Sequence, residues 1–531
     1  MASNATSNNN ESSGSVKRKE IESDLPFWER VAILAVWCAG AFYMCYSVAI
    51  FSIERFPHLD NYYFEPGWLF NNSWKDTTNF EWEYWRDWNK RSWMWYIGHI
   101  LIGQLLRFKF YEHRWIVQWL YSLTVLLVFL GWKTTLVMYG QITIMYIVAS
   151  SGSLVAVWIA AMLLLSLLNI DSALDIMRQI SLQDENWEKN FLLFVFAISM
   201  TNLRYISFCS EWCEYRKKPE SERKEKMHFS LLAMYHYCTY LPTCFTGPVC
   251  TYYHFYKQFW QPVRPWNRQA VTAIINQAVR VAISYLICEF ILHTLYFCAI
   301  HYHDYEVANM PAWPLGGSGY LQGQFFMVKY VVLFGVPRIL CLLDQITLAG
   351  TPSCISRIGS SVNYWRTFDR GLYQFMIRHM YVPLGGSKNG ILRQFVASTM
   401  CFIFVFLWHG ATDNLFYWVL GNYIDILLET FAWAMYCTPR AQEFERKYLS
   451  PANSRRLKGA LKTPSFLMTC VSVFTFLGGM EVGRTFMREF VFEFHPTRLL
   501  VSFVLGYTLV QTDYIVTVYE KNRALEKLHK D

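Results

Sequence analysis

Charge is what this 531-residue chain has least of. Asp, Glu, Lys and Arg make up 17% of it, against roughly a quarter in a soluble domain. The charges cluster in short loops and leave long apolar stretches, which excludes an ordinary water-soluble fold. A basic stripe is also absent. The net charge of +8 is dispersed over separate loops, which argues against nucleic-acid binding and for membrane topology. The 14 cysteines include no Cys-X-X-Cys pair and fall singly in apolar segments, so buried free thiols are expected rather than a disulfide framework or a zinc site. Internal repeats are missing, which counts against a transporter built from repeated halves. Residues 1–24, rich in Asn, Ser, Lys and Glu, lack the apolar core of a cleavable signal peptide. They are expected to form a disordered cytosolic tail, followed by an uncleaved signal anchor.

What the chain does have is hydrophobic mass: 53% hydrophobic residues, with 22 Trp, 34 Tyr and 40 Phe. That aromatic load suits interfacial belts and lipid-facing surface. Apolar runs near 31–51, 93–108, 115–131, 134–168, 190–208, 228–246, 270–300, 326–343, 394–409, 414–430, 464–482 and 498–519 predict an all-α polytopic membrane protein. At roughly 20 residues per crossing they amount to about eleven transmembrane helices, supplemented by re-entrant or amphipathic pieces. Residues 25–520 are expected to form one membrane domain, and 521–531 a polar C-terminal tail. Lys17, Arg18, Lys19, the run Arg216–Lys226 and the basic stretch 440–462 place those loops in the cytosol. Residues 301–325 hold Asp304 and Glu306 but no Lys or Arg, which points to the lumen. The Asn71-Asn72-Ser73 sequon is usable only if residues 52–91 are lumenal as well.

A histidine, His409, stands inside one such run, Phe402-Ile403-Phe404-Val405-Phe406-Leu407-Trp408-His409-Gly410. A titratable group in a span is costly and marks a functional site, although an interhelical hydrogen bond is the plainer explanation. Forty residues upstream, Asp369 follows Trp365-Arg366-Thr367-Phe368 in a stretch too charged for a span and too apolar for a plain loop. Arg366, Arg370, Arg378 and Lys388 recur there before Pro383 and Gly385-Gly386 end the segment. They read either as an interfacial helix on lipid phosphates or as a cationic seat for the phosphates of an activated donor. Arg204 reads as a snorkelling charge or as support for an internal chamber, and Gly247-Pro248 as a helix end.

Three blocks resemble the signature of membrane-bound O-acyltransferases: Trp365-Arg366-Thr367-Phe368-Asp369, Tyr381-Val382-Pro383-Leu384-Gly385-Gly386-Ser387 and Trp408-His409-Gly410. Asp76-Thr77-Thr78-Asn79-Phe80-Glu81-Trp82, Lys329–Pro337 and Phe476-Leu477-Gly478-Gly479 are similar to the hedgehog-acyltransferase branch. The ordered set covers roughly residues 30–515. Met480 and Phe245 depart from that branch's pattern, which bears on the identity of the acceptor.

The resemblance implies transfer of palmitate from palmitoyl-CoA to the N-terminal cysteine of secreted signalling proteins, hedgehog-type or EGF-type. The setting it implies is the endoplasmic reticulum, with the Golgi as an alternative. It implies that His409 is the catalytic histidine and Asp369 its acidic companion, with Trp365, Arg366, Arg370, Arg378 and Trp408 contacting substrate. Cys354 matches the position at which this branch binds haem iron through a thiolate, so haem b is the implied cofactor. No nucleic acid and no zinc are expected, and a monomer in the bilayer is. The chemistry is coherent from the residues upward. A thioester is already activated, and an α-amino group of pKa about 7.7–8.0 can lose its proton to a neutral imidazole. The tetrahedral oxyanion then needs donors such as a backbone N–H, Trp or Arg. A transfer to the Cys thiol followed by S-to-N migration is the alternative route. Alternative functions are acylation of a lipid or serine hydroxyl, and a non-catalytic transporter or regulator.

Overall fold

The computed structural model describes residues 25–181, 187–223, 227–261, 264–388, 390–493 and 495–528. The expected N-terminal tail lies outside the described residues. Regular structure is almost all helical. The chain opens with α1 (Phe27–Arg55), a short antiparallel hairpin of β1 (Phe64–Pro66) and β2 (Trp74–Asp76), and α2 (Phe80–Lys109). There follow α3 (Arg114–Leu130), α4 (Trp132–Ser150), α5 (Leu154–Ser166), α6 (Asp171–Ser181), α7 (Trp187–Lys217), α8 (Leu231–Cys238) and α9 (Tyr252–Phe259). The second half contains α10 (Arg268–Thr294), α11 (Ala312–Leu343), α12 (Ser361–Thr367), α13 (Arg370–Met376), α14 (Ile391–His409) and α15 (Asp413–Tyr436). It closes with α16 (Pro439–Tyr448), α17 (Pro451–Gly478), α18 (Met480–Met487) and α19 (Pro496–Leu528), the last running on through the polar residues 521–528.

Among the described residues, seven helices are long and apolar enough to cross a membrane: α1, α7, α10, α11, α14, α17 and α19. A bent pair, Leu154–Asn169 with Asp171–Ser181 at 77°, raises the number to eight. That is fewer than the eleven expected, and two runs show why. The run 93–108 belongs to an α2 whose first half carries Glu81, Glu83, Arg86, Asp87, Lys90 and Arg91. The run 228–246 breaks after Cys238, and residues 239–245 that follow the break are buried inside protein. Backbone of that kind survives at membrane depth only where protein satisfies it.

Two ion pairs define the faces. At its N-terminal end α1 is tied to the basic stretch, where Arg456 Nε donates to Glu29 Oε1 at 2.9 Å. At its other end Arg55 Nε lies 3.3 Å from Glu306, in the loop that lacks Lys and Arg. The hairpin packs on this second face, with Tyr63 against Tyr302 and the Asp60 N–H directed at His303.

The broken segment 361–388 is held by side chains at helical spacing. Ser360, Ser361 and Trp365 donate to Glu429, Asp425 and Asn422, which share one face of α15. From α17, Thr469 donates to the same Asp425 at 2.6 Å, and Ser472 accepts from Asn422 at 3.0 Å. α13 then gives way to a π-helical turn at Ile377–Tyr381. Its His379 is bonded to Ser207 of α7 at 3.1 Å, and burial pushes that imidazole down to about 3, so it stays neutral. Gly371 admits the chain at closest approach: a Cβ there would lie 2.6 Å from the backbone N and O of Val249.

Arg204 does not snorkel. It is 3% exposed, and its guanidinium donates to the carbonyls of Cys238, at 2.9 Å, and Thr243. The arginine thus caps the break after α8, the chamber-support alternative. Arg204→Met leaves both carbonyls without a donor, at a cost of about 1–3 kcal/mol for each. The variant is expected to lose thermal stability in detergent, with Arg204→Lys intermediate. Unchanged melting of Arg204→Met would show that the two bonds do not support the break.

Candidate active site

His409 is the last residue of α14, and Gly410, at φ 111°, closes the helix in the left-handed region that suits glycine. His409 is exposed, with aromatic rings packed against one side of its imidazole. Trp408, Trp418 and Phe476 meet it edge to face at centroid distances of 4.8, 5.4 and 6.2 Å. Among the described residues His409 makes no hydrogen bond. The interhelical-bond explanation therefore has no partner here, and both ring nitrogens remain available.

Asp369 sits at the N-terminus of α13, where its Oδ1 accepts from the Leu372 N–H at 2.9 Å. Burial pushes its carboxyl up to about 6, although the N–H groups of Leu372 and Gly371 pull the other way. No hydrogen bond or ion pair joins Asp369 to His409 among the described residues. A chain of rings connects their surroundings instead. Phe368 stacks on Phe326 at 5.1 Å, Phe326 meets Phe476 at 5.9 Å, and Phe476 meets His409. The two residues thus lie at either end of one run of packed aromatic rings without bonding to each other.

A third group enters from α2. Glu81 pairs with Lys329 Nζ at 2.5 Å and accepts from the Tyr330 hydroxyl at 2.9 Å. Its carboxylate is close enough to interact electrostatically with His409, and Tyr330 packs on Phe368 at 5.9 Å. Both residues stand in blocks similar to the hedgehog-acyltransferase branch, and sequence alone assigns neither a role. A signal was present, since Lys329 is the one charge between Ala312 and Pro337 in an otherwise apolar helix. What only the fold reveals is that Glu81, some 250 residues earlier, is its partner.

The other expected contacts separate into two groups. Trp365 and Trp408 lie beside the histidine cage, but their N–H groups are spent on Asn422 Oδ1 at 3.1 Å and the Ser199 carbonyl at 3.0 Å. They offer substrate ring faces only. Trp418 differs: its Nε1 is buried and has no partner among the described residues. The basic residues do not gather into one seat. Arg366 and Lys388 are exposed, while Arg378 is committed to Glu211 at 3.1 Å. Arg370 alone reaches a cavity, donating to Ser353 at 2.8 Å. That cavity, of about 300 Å³, is lined by Arg280, Arg338, Arg357, Arg370 and Cys354. Arg357 ties it to α19 through Glu520, toward the C-terminal end of that helix.

Comparison with known proteins places this geometry in context. Residues 143–472 match the model of the membrane-bound O-acyltransferase family. The chain is 31% identical to the protein-cysteine N-palmitoyltransferase HHAT of Mus musculus, over 93% of its own length and 99% of the relative's. It is 26% identical to the protein-cysteine N-palmitoyltransferase Rasp of Drosophila melanogaster, over 80% and 83% of the two chains. The membrane-bound O-acyltransferase GUP1 of Saccharomyces cerevisiae is 30% identical over 38% of this chain and 35% of its own.

The raised carboxyl of Asp369 has a signed consequence. With a folded-state value near 6 against an ordinary 3.8, the native state holds the extra proton, so this group's contribution to stability is lost as pH rises from about 4 to about 6. Asp369→Asn keeps a capping oxygen and removes that loss. It is expected to melt at or above the wild-type temperature above pH 6, with the gain vanishing below pH 4, while acyl transfer collapses. An Asn variant that melts lower at neutral pH would identify the carboxylate as structural.

Proposed function

The chain belongs to the membrane-bound O-acyltransferase family, and from that membership we propose that it is a protein N-palmitoyltransferase, carrying palmitate from palmitoyl-CoA to the N-terminal cysteine amine of secreted signalling proteins. The observation that carries this reading is His409: an ionisable ring with no hydrogen-bond partner, inside an aromatic cage at the end of a spanning helix. Relatives matched across nearly the whole chain are named for N-palmitoylation, which favours an amine acceptor over a lipid or serine hydroxyl.

The reaction follows from the residues. Neutral His409 takes the proton of the acceptor amine as its nitrogen attacks the thioester carbonyl. Asp369 faces the acceptor and orients its positive end. Glu81, held by Lys329 and Tyr330, steadies the imidazolium that forms. The tetrahedral oxyanion finds its donor in the unpartnered Trp418 N–H once a neighbouring ring yields. Collapse expels the CoA thiolate, which recovers the proton from His409. The donor comes from the basic, cytosolic face and the acceptor from the hairpin side, a sidedness that supports a membrane of the secretory pathway, in this reading the endoplasmic reticulum with the Golgi as the alternative.

The basic cavity beneath Arg370 would suit a second group: the Cys354 thiol on its wall would offer a ligand to haem iron, and the guanidinium groups would offer partners to two carboxylate tails. Cys354 would hold haem b there, with Arg280, Arg338, Arg357 and Arg370 about its propionates. When bound, haem supplies a redox- and ligand-sensitive iron on the cytosolic face.

Two measurements test these readings. Purified protein given labelled palmitoyl-CoA and an N-terminal-Cys peptide is expected to acylate the peptide amine. His409→Ala should reduce the rate by at least about 10²-fold, and equal rates would remove His409 as the base. Separately, purified protein should show a thiolate-type Soret band that Cys354→Ala abolishes; wild-type protein that takes up no haem contradicts the assignment.

A further inference from the structure

The hairpin between α1 and α2 carries the motif that the acyltransfer reading leaves unused. Asn71-Asn72-Ser73 lies at its tip, between β1 and β2. The flanking aromatics are held down on α10. Trp68 donates its indole N–H to Glu289 at 2.9 Å and its backbone N–H to His293 at 3.2 Å, and Phe70 meets Phe290 edge to face at 6.1 Å. The chain then reverses through Asn72 at φ 58°, a conformation asparagine tolerates, and Ser73 returns its N–H and hydroxyl to the Phe70 carbonyl. Both asparagines are exposed. The aromatic residues thus anchor the turn while its amides stand clear of the body.

The tip shares a face with the loop that lacks Lys and Arg. Arg55–Glu306, Tyr63–Tyr302 and Asp60–His303 bind the two together, and the basic stretch lies at the opposite end of α1. Positive charge stays on the cytosolic side, so this arrangement puts the hairpin in the lumen. The other two Asn-X-Ser/Thr triplets, at Asn4 and Asn10, lie in the sequence before α1, in a stretch whose Lys17, Arg18 and Lys19 lead us to expect a cytosolic side.

We propose that Asn71 is an N-glycosylation site, and the one such site of the chain. The claim rests on the endoplasmic reticulum placement argued above, but not on acyl transfer. The co-reactant is a polyprenyl-pyrophosphate-linked oligosaccharide presented by the host's oligosaccharide transferase. The Asn71 amide nitrogen forms a bond to C1 of the first sugar as the C1–O bond to pyrophosphate breaks. Polyprenyl pyrophosphate leaves, and the amide surrenders one N–H proton to a base of the transferase. The Ser73–Phe70 bonds are no obstacle, because the sugar is added to the emerging chain before the hairpin closes. The folded structure only has to leave room for the glycan, and the exposed tip does.

The test uses the full chain expressed in a eukaryotic cell, read by electrophoretic mobility with and without an endoglycosidase. One glycan step is expected in the wild type, removed by the enzyme and absent from Asn71→Gln and Ser73→Ala, with Ser73→Thr retaining it. Two variants report topology independently. Pro311→Thr completes an acceptor triplet at the exposed Asn309 on the hairpin face, and Tyr448→Asn completes one in the basic stretch. A second glycan on Pro311→Thr and none added on Tyr448→Asn support the proposal when Asn71 is modified. An unmodified Asn71 beside a modified Asn309 overturns the proposal and leaves the membrane placement standing. A glycan on Tyr448→Asn alone, or no glycan in any variant, overturns both.

Discussion

A carboxylate buried between helices anchors this molecule. Asp425 of α15 accepts from Ser361 and from Thr469 of α17, with Ser361 and Thr469 themselves 2.7 Å apart. Three elements meet there, and one of them is a segment broken four ways: two short helices, a π-turn and a run of turns. Such backbone has unsatisfied N–H and C=O groups that lipid cannot serve, so it is tolerated only where neighbouring helices enclose it. The Asp425 cluster, with Trp365–Asn422 one helical turn away, provides that enclosure. Without it neither Asp369 nor the Phe368 stack has a fixed position.

The same constraint shapes the chemistry. A histidine at membrane depth must be paired or be kept neutral. Among the described residues His409 has no hydrogen-bond partner, and the rings of Trp408, Trp418 and Phe476 that meet it edge to face bring no charge to it. Carboxylates are nearby but spoken for: Glu81 by Lys329 and Tyr330, Asp369 by the amides at the start of α13. In the proposed reaction His409 is then a base without a permanent acid partner, near fixed charges that are already compensated. Proton transfer can then follow arrival of the acceptor amine rather than compete with internal pairs. Family membership and a cage of this composition point the same way.

Much of this was legible in the amino-acid sequence. Low charge and long apolar runs predict a polytopic helical membrane protein, and the order of Asp369, Tyr381–Ser387 and Trp408-His409-Gly410 resembles the family that the comparisons show. Three things were not legible, each for a physical reason. The number of spans was overcounted, because an apolar run buried in protein, such as 228–246, looks like one facing lipid. The arginines of 366–388 looked like one seat because sequence proximity hides direction: Arg378 turns to Glu211, and Arg370 joins Arg280, Arg338 and Arg357 from distant elements. The pairing of Glu81 with Lys329 depends on tertiary folding, which no local pattern encodes.

The central claim is that one histidine at the end of a spanning helix serves a donor from one face of the membrane and an acceptor from the other. Sidedness tests it most directly. Protein reconstituted in one orientation into sealed vesicles receives palmitoyl-CoA and an N-terminal-Cys peptide on chosen sides. The account predicts acylated peptide only when the donor is on the side of the basic stretch 440–462 and the peptide is on the side of the β1–β2 hairpin. Equal product with both substrates on one side and none on the other would contradict it.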